Sequence, residues 1–322
     1  MSLPPEFALI ARHFRRLAGE GALDLSDDAA ILAPPAGREL VLAADALVEG
    51  VHYLSEDPPE TIGRKLLRVN LSDLAAMGAE PLAYLMTTAL PHGTSPEWLE
   101  EFTAGLAADQ REFGLHVLGG DTVSVPGPAC LSLTIIGTVP PGAALRRAGA
   151  RPGDDLWVSG TIGDGALGLA VLQGRGPADP EGYLARRYRL PEPRLALGAA
   201  LRGLARATMD VSDGLAQDLA HLCRAGGLGA VLELAALPLS APAAALAAKD
   251  PSWLSRLASG GDDYELLFAA DPADADRVKA AASAAGTPVT RIGHFVSGEA
   301  EVTVLNQDRK AVDLQRGGWS HF

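Results

Sequence analysis

Two spacings of apolar residues alternate along this chain. One recurs every third or fourth position and predicts amphipathic helices; the other forms short apolar runs bounded by turn residues and predicts strands. Phe7, Ile10, Phe14 and Leu17 share a helical face that Gly19 and Gly21 bring to an end. Apolar runs at 29–32 and 40–44 predict two strands. Between 59 and 77, Ile62, Leu66, Val69 and Leu74 lie near one face of a long helix closed by Gly78 and Pro81. A strand at 82–89, a helix at 96–113, a short strand at 116–118 and a longer one at 131–139 complete the first half.

Pro140-Pro141-Gly142 breaks this pattern. The break predicts two domains, 1–142 and 143–322. The second half alternates again: a strand at 156–158, a helix from Asp164, helices around Tyr183 and Leu195, a strand at 207–211, a helix from Gly214 and a strand at 230–234. A strand at 264–268, a helix at 273–284 and strands near Ile292 and Val302 close it. Both halves read as α/β (α+β) units with mixed sheets packed against helices. Asn70-Leu71-Ser72-Asp73 faintly echoes Asp210-Val211-Ser212-Asp213, too briefly to establish a repeat.

Onto these elements the sequence places acids, several at glycine-flanked turns: Asp27-Asp28, Asp45, Asp73, Gly119-Gly120-Asp121, Asp210-Val211-Ser212-Asp213 and Gly260-Gly261-Asp262-Asp263. Glycine allows a sharp turn or a close approach to a ligand. Any one of these acids could be a helix cap or turn residue. As a set beside apolar elements, Asp28, Asp45, Asp73, Asp121, Asp210 and Asp213 point to a hard cation, because buried unpaired charge is costly. Mg²⁺ takes oxygen ligands and commonly links carboxylates to substrate phosphates. The expected chemistry is therefore phosphate chemistry through magnesium.

Composition narrows the partners. The 322 residues are 48% hydrophobic and 21% charged, enough apolar material for a packed interior. Twenty-seven basic against 40 acidic residues give a net charge of −13, which argues against nucleic acid or an anionic membrane as a partner. A bound divalent cation still lets an acidic site take a small anion. The first residues lack a basic and apolar leader, and no apolar stretch reaches membrane-spanning length, so the expected location is cytoplasmic. Cys130 and Cys223 are far apart without a paired spacing and read as reduced, buried thiols.

Other motifs bear on the same chemistry. No Gly-Lys-Ser/Thr loop supports a Walker-type cradle. Gly163-Asp164-Gly165-Ala166-Leu167-Gly168 matches a dinucleotide-binding turn, with Asp179 and Glu181 placed for a ribose contact; the competing reading is a tight strand-to-helix turn. The histidines lack zinc spacing. His52 is either an anion contact or a histidine satisfied by backbone. Ser212 lacks a nucleophile-elbow context. Trp319 is either a packing anchor or a stacking surface for an aromatic or cationic ring.

Read together, Asp27-Asp28, the run from Val69 through Asn70-Leu71-Ser72-Asp73 to Ala79, Gly119-Gly120-Asp121-Thr122, Asp210-Val211-Ser212-Asp213-Gly214 and Gly260-Gly261-Asp262-Asp263-Tyr264-Glu265-Leu266 closely resemble the thiamine-monophosphate kinase family. The likeness runs in order along almost the whole chain, including the ending from Trp319 to Phe322. It implies a two-domain aminoimidazole ribonucleotide synthetase-like fold and a homodimer paired through the first domain. It also implies transfer of the ATP γ-phosphoryl group to thiamine monophosphate.

By position, the resemblance implies Asp28, Asp45, Asp73, Asp121, Asp210 and Asp213 as Mg²⁺ ligands. Gly120, Asp121, Arg147 and Ser212 would contact ATP, and His52, Asp262 and Trp319 the substrate. Three departures stand out. Asp24-Leu25-Ser26 replace the family's Gly-Ile-Gly, Ala43-Ala44 replace Ser-Thr, and Asp262 replaces a longer glutamate. The alternatives are another ATP-dependent synthetase of the superfamily, a dinucleotide-binding oxidoreductase using Gly163 to Gly168, and a catalytically silent ligand-binding dimer. A selenophosphate-forming reading lacks a cysteine in the first hundred residues.

Overall fold

The computed structural model describes residues 8–314 and 317–320; Phe7, His321 and Phe322 lie outside the described residues. Two compact units divide the chain, one extending to Leu74 and resuming over Ala79–Gly142, the other made of Ala75–Gly78 and the chain from Ala143 onward.

In the first unit, β1 (Glu39–Val48), β2 (Glu80–Pro91), β3 (His116–Val125) and β4 (Cys130–Val139) form one sheet in the order β1-β4-β2-β3. Only β2 and β3 are parallel. Helix Pro59–Ala76, as far as Leu74, and helix Pro96–Phe113 belong to the same unit. The second helix starts and stops as its sequence dictates: the Ser95 hydroxyl accepts the Trp98 N–H (3.1 Å), Pro96 opens the first turn, and Gly114 (φ +71°) turns the chain out. Two glycines bring the helices together. A methyl group on Gly63 would lie 2.3 Å from the Phe102 carbonyl oxygen, and one on Gly105 2.0 Å from that of Glu60. At this contact the fully buried Asp109 carboxylate accepts from Arg64 Nε (2.8 Å) and Arg68 Nε (2.6 Å). A carboxylate so placed is tolerated because both oxygens are paired.

Alternation fixes the faces of this sheet. Leu47, Leu131, Leu133, Ile135 and Tyr84 are buried, whereas Leu40, Leu42, Leu85 and Val123 are exposed, Leu42 by 61%. Residues 29–32 form no strand, contrary to expectation. Ile31 makes a single backbone bond to Gly21, and Ala30 and Leu32 instead lie against Ala83, Leu118 and Ile136. An apolar run can thus be buried on a sheet without pairing with it. The expected first helix is irregular, with Ile10–Phe14 wound wide and Arg15–Leu17 wound tight; Phe14 and Leu17 are buried. Beyond it, Leu23, Asp24 and Leu25 all take left-handed backbone (φ +49°, +58° and +54°). Such a path favours glycine and costs other residues about 1–2 kcal/mol each; here Asp24 is also paired with Arg15 at 3.0 Å.

The second unit is built on a six-stranded sheet: β5 (Asp155–Ser159), β6 (Ala205–Asp210), β7 (Gly229–Glu233), β8 (Leu266–Ala270), β9 (Val289–Val296) and β10 (Val302–Leu305), ordered β10-β7-β9-β5-β8-β6. All pairs except β10 with β7 are antiparallel. Every residue of β5 and β8 is buried. Leu156, Val158, Leu267 and Ala269 join one core cluster, while Trp157, Leu266, Phe268 and Ala270 join another. Both faces are covered, so these strands read as apolar runs rather than alternations. β8 begins two residues later than expected because Asp262 (φ +67°) and Tyr264 (φ +53°) are left-handed and hold the preceding segment out of the sheet. Helices Ala241–Lys249 and Trp253–Ala258 were not anticipated; the first is capped by Ser240 but is so rich in alanine that it shows no periodicity. Among the described residues, no helix is long and apolar enough to cross a membrane.

Candidate active site

β3 carries the first part of the site. It continues to Val125, so Gly119-Gly120-Asp121 lies inside a strand and not at a turn. Parallel pairing with β2 persists through Pro91 opposite Val125 after a register shift at Tyr84/Leu85. A methyl group on Gly120 would stand 1.7 Å from the Met86 carbonyl oxygen, so only glycine fits this close approach. Asp121 follows it, exposed, with Oδ1 accepting the Thr122 N–H at 2.9 Å. Asp27, Asp28, Gly120 and Asp121 line one cavity of about 660 Å³ with the hydroxyl residues Thr87, Thr122, Ser132 and Thr134. Phe14, Leu25, Leu85 and Ile136 give it apolar walls. A pocket of mixed lining and this size lies in the range of small-molecule sites.

Asp45, Asp73 and His52 do not line that cavity. Asp45 is exposed on β1, and its N–H donates to the Asn70 side-chain oxygen (3.1 Å); Asn70, fully buried, donates to Leu66 in its own helix. Asp73 lies on that helix, one turn beyond Asn70 and half-buried. The resemblance between the segments at Asn70 and Asp210 is therefore not structural, one being helix and the other a strand end. His52 is half-buried in the turn after β1, where Nδ1 accepts the Val48 N–H (3.0 Å) and the carbonyl oxygen accepts from the buried Lys65 (2.9 Å). Lys65 gave no signal in the sequence.

In the second unit, the loop after β6 is organised by a residue that sequence reasoning passed over. One oxygen of Asp218 accepts the N–H groups of Ser212 (3.0 Å), Asp213 (3.1 Å) and Gly214 (3.1 Å). Burial, then Asp210 and Asp213, push its carboxyl up to about 8. Asp210 and Asp213 are thus each close enough to repel Asp218. Residues 211–212 pair with 262–264 through Asp262 N–H to Ser212 O and Tyr264 N–H to Val211 O, both 2.8 Å. The tail reaches the same loop, with Trp319 N–H donating to Asp213 O (2.9 Å). Trp319 is 54% exposed. Arg147 is exposed and helps depress the basicity of His221, after burial and Arg224, which sets it near helix Leu215–Gly226. Ser212, Asp213, Asp262 and Trp319 are therefore neighbours in this unit.

The dinucleotide-like turn has a different occupant. Asp263, 1% exposed, accepts from Gly163 N–H (2.7 Å) and Gly165 N–H (3.0 Å) at the start of helix Asp164–Leu172, where a pyrophosphate would sit in a dinucleotide fold. Burial, only partly offset by these donors and Arg187, pushes its carboxyl up to about 8. Methyl groups on Gly163, Gly165 and Gly168 would come within 2.4 Å of Leu257, 2.3 Å of the Asp262 oxygen and 2.1 Å of the Leu184 oxygen. Packing explains all three glycines. Glu265 is likewise internal, bound by Ser159 Oγ (2.6 Å), Arg187 (3.0 Å) and Arg194 (2.7 Å).

The donor set fits magnesium in kind. It consists of carboxylate oxygens, Asp28 with Asp121 in one cavity and Asp210 with Asp213 beside Asp218 in the other unit, where a cation would relieve repulsion. Among the described residues, no three acidic, histidine or cysteine side chains already converge as a metal-ligating group. Mg²⁺ commonly completes such pairs with water and substrate phosphate.

Comparison with known proteins agrees with this architecture. Residues 26–139 match the family model for the N-terminal domain of AIR synthase related proteins, and residues 151–306 match that for the C-terminal domain. The fold is that of an AIR-synthase-related two-domain protein. A thiamine-monophosphate kinase from Caulobacter vibrioides is 47% identical, over 99% of this chain and 91% of its own. The crystal structure of thiamine-monophosphate kinase from Stenotrophomonas maltophilia superposes with a TM-score of 0.83 at 40% identity, covering 96% of this chain and 98% of its own. AaThiL complexed with AMPPCP and TMP superposes at 0.79 with 31% identity, covering 92% and 91%. The chain belongs to the thiamine-monophosphate kinase family.

Proposed function

We infer that this chain is an ATP-dependent phosphotransferase that moves the γ-phosphoryl group of ATP onto the phosphate of thiamine monophosphate, giving thiamine diphosphate and ADP. The observation that carries this reading is the 47% identity extending over 99% of the chain, both domains included. A phosphate oxygen of the acceptor attacks the γ-phosphorus as the bond to the β-phosphate oxygen breaks. The second pKa of a phosphate monoester is about 6, so the acceptor is largely ionised at neutral pH and needs no strong base. What the chain must supply is alignment of two anions.

Bound magnesium supplies neutralisation of phosphate charge. Its proposed ligands are Asp28, Asp45, Asp73, Asp121, Asp210 and Asp213, supported by their oxygen chemistry and by the paired placement of Asp28 with Asp121. Ala43 and Ala44 contribute no side-chain oxygen to that set. Gly120, Asp121, Arg147 and Ser212 are assigned to ATP, where Gly120 holds β3 close against β2 beside the cavity and Arg147 forks onto phosphate oxygens. His52, Asp262 and Trp319 are assigned to thiamine monophosphate, with Trp319 offering a ring face to its cationic ring system. Asp262 is shorter than the glutamate of the family and reaches less far.

Residues 1–142 are assigned to ATP, metal and dimerisation, and residues 143–322 to the remaining phosphate and substrate contacts. The homodimer reading is supported by the apolar, exposed Leu40, Leu42, Leu85 and Val123, together with exposed Ala44 and Ala46. A cytoplasmic location is supported by Cys130 and Cys223, both free thiols.

The test is to incubate the purified protein with ATP and thiamine monophosphate, with and without Mg²⁺, and follow products by mass spectrometry. Thiamine diphosphate with stoichiometric ADP, only when all components are present, is expected. ADP release that ignores the acceptor, with no thiamine diphosphate, overturns the assignment.

A further inference from the structure

We propose that Gln217 is a positioning residue that locks the tail bearing Trp319 onto the loop bearing Asp213, so that the substrate-facing ring and the phosphate-side carboxylate are held in one arrangement. The proposal rests on the functional reading above, which assigns Trp319 to thiamine monophosphate and Asp213 to the phosphate side.

Gln217 lies in the first turn of helix Leu215–Gly226 and touches both partners at once. Its Nε2 donates to Asp213 Oδ2 (3.2 Å) and to the Trp319 carbonyl oxygen (2.5 Å). Its backbone N–H donates to the Gly317 carbonyl oxygen at 3.1 Å. Between these, a methyl group on Gly318 would stand 2.6 Å from Asp213 O and 2.7 Å from Gln217 Cβ, so the tail passes through a slot only glycine fits. Trp319 is 54% exposed, so about half of its surface is left for a ligand while these bonds hold its backbone. A primary amide is the suitable group here. Its two N–H bonds serve two oxygen acceptors, whereas a carboxylate would face them with like charge and a thioether would serve neither.

Gln217→Met keeps length and removes the donors; Gln217→Glu opposes both acceptors. The Met variant is expected to raise KM for thiamine monophosphate about tenfold while KM for ATP moves less than about twofold, with Glu larger in the same direction. In a Trp319→Leu background, Gln217→Met should add less than about twofold to that KM, because without the indole there is no ring left for the tail to position. An unchanged KM for thiamine monophosphate, equal losses for both substrates, or full additivity with Trp319→Leu overturns the proposal. A second measurement is independent of turnover: in 5-fluorotryptophan-labelled protein, the ¹⁹F resonance identified by its loss in Trp319→Leu should shift in Gln217→Met. A stationary resonance refutes the positioning role even if the wild type makes product. A resonance that shifts in Gln217→Met, together with a wild type that makes no thiamine diphosphate, retains the lock and rejects the functional reading.

Discussion

In the first unit Gly120 and Asp121 stand side by side on β3, and the acid borders an open cavity. In the second, Gly261, Asp262 and Asp263 have an equally glycine-rich approach, yet Asp263 turns inward and takes two backbone N–H groups at the start of a helix. Similar local sequence thus serves opposite ends. What separates them is supply of donors: Asp263 meets two N–H groups at a buried helix start, whereas Asp121 meets one amide, that of Thr122, on an exposed strand. The first unit leaves Asp45 and Asp121 at its surface and buries Asp109 between helices, while the second uses Asp263, Glu265 and Asp218 to hold its own loops.

The sharpest way to break this comparison is to neutralise one acid of the exposed kind. Asp121→Asn is expected to lower kcat/KM by about 100-fold, equivalent to about 2.7 kcal/mol of transition-state stabilisation, with an unchanged circular dichroism spectrum. Near-wild-type turnover would place Asp121 outside the phosphate chemistry. A smaller effect is expected at the outer face of the first sheet. Leu42→Arg, a charge on an exposed apolar strand position, should weaken dimer association by about tenfold or more, read as a shift toward monomer in sedimentation velocity. An unchanged mass distribution would remove this face from the interface.

The mildest test concerns the internal kind of acid. The folded Asp263 carboxyl is pushed up to about 8, against an ordinary value of about 3.9 in an unfolded chain. Between those values the folded protein holds a proton that the unfolded chain has released. The stabilising contribution is therefore complete below about pH 4 and is lost as pH rises through about 8. Asp263→Asn cannot titrate, so its urea midpoint should fall less between about pH 5 and about pH 8.5 than that of the wild type. Equal slopes would show that Asp263 is ionised throughout.

Elements with strong local signals were legible in the sequence. Helix Pro96–Phe113 has its Ser95 cap, its first-turn proline and its terminal glycine in place, and its bounds coincide with those expected. β3 was foreseen only over its first three residues because Gly119 and Gly120 imitate a turn; the actual reason for Gly120, an approach to Met86 across the sheet, is long-range. Helix Ala241–Lys249 left no periodic trace, since alanine fits either face. At the site, chemistry was visible and attachment was not. Asp218 and Gln217 look like ordinary first-turn helix residues until the loop and tail fold back upon them. The residues at Gly163 to Gly168 imitate a nucleotide turn for the same reason: only the fold reveals that Asp263 occupies it.

The tail's docking has a practical consequence. Trp319 is fastened to the second unit by its own amide and carbonyl, while its indole is substantially exposed. On the side of residue 319 both bonds are made by main-chain atoms, one of them to the Gln217 side chain, so another residue at 319 can make the same two bonds. Position 319 is thus a socket: an environment-sensitive fluorophore or a different aromatic amino acid installed there inherits a fixed seat beside Asp213, and the enzyme becomes an optical reporter of whatever arrives at that loop.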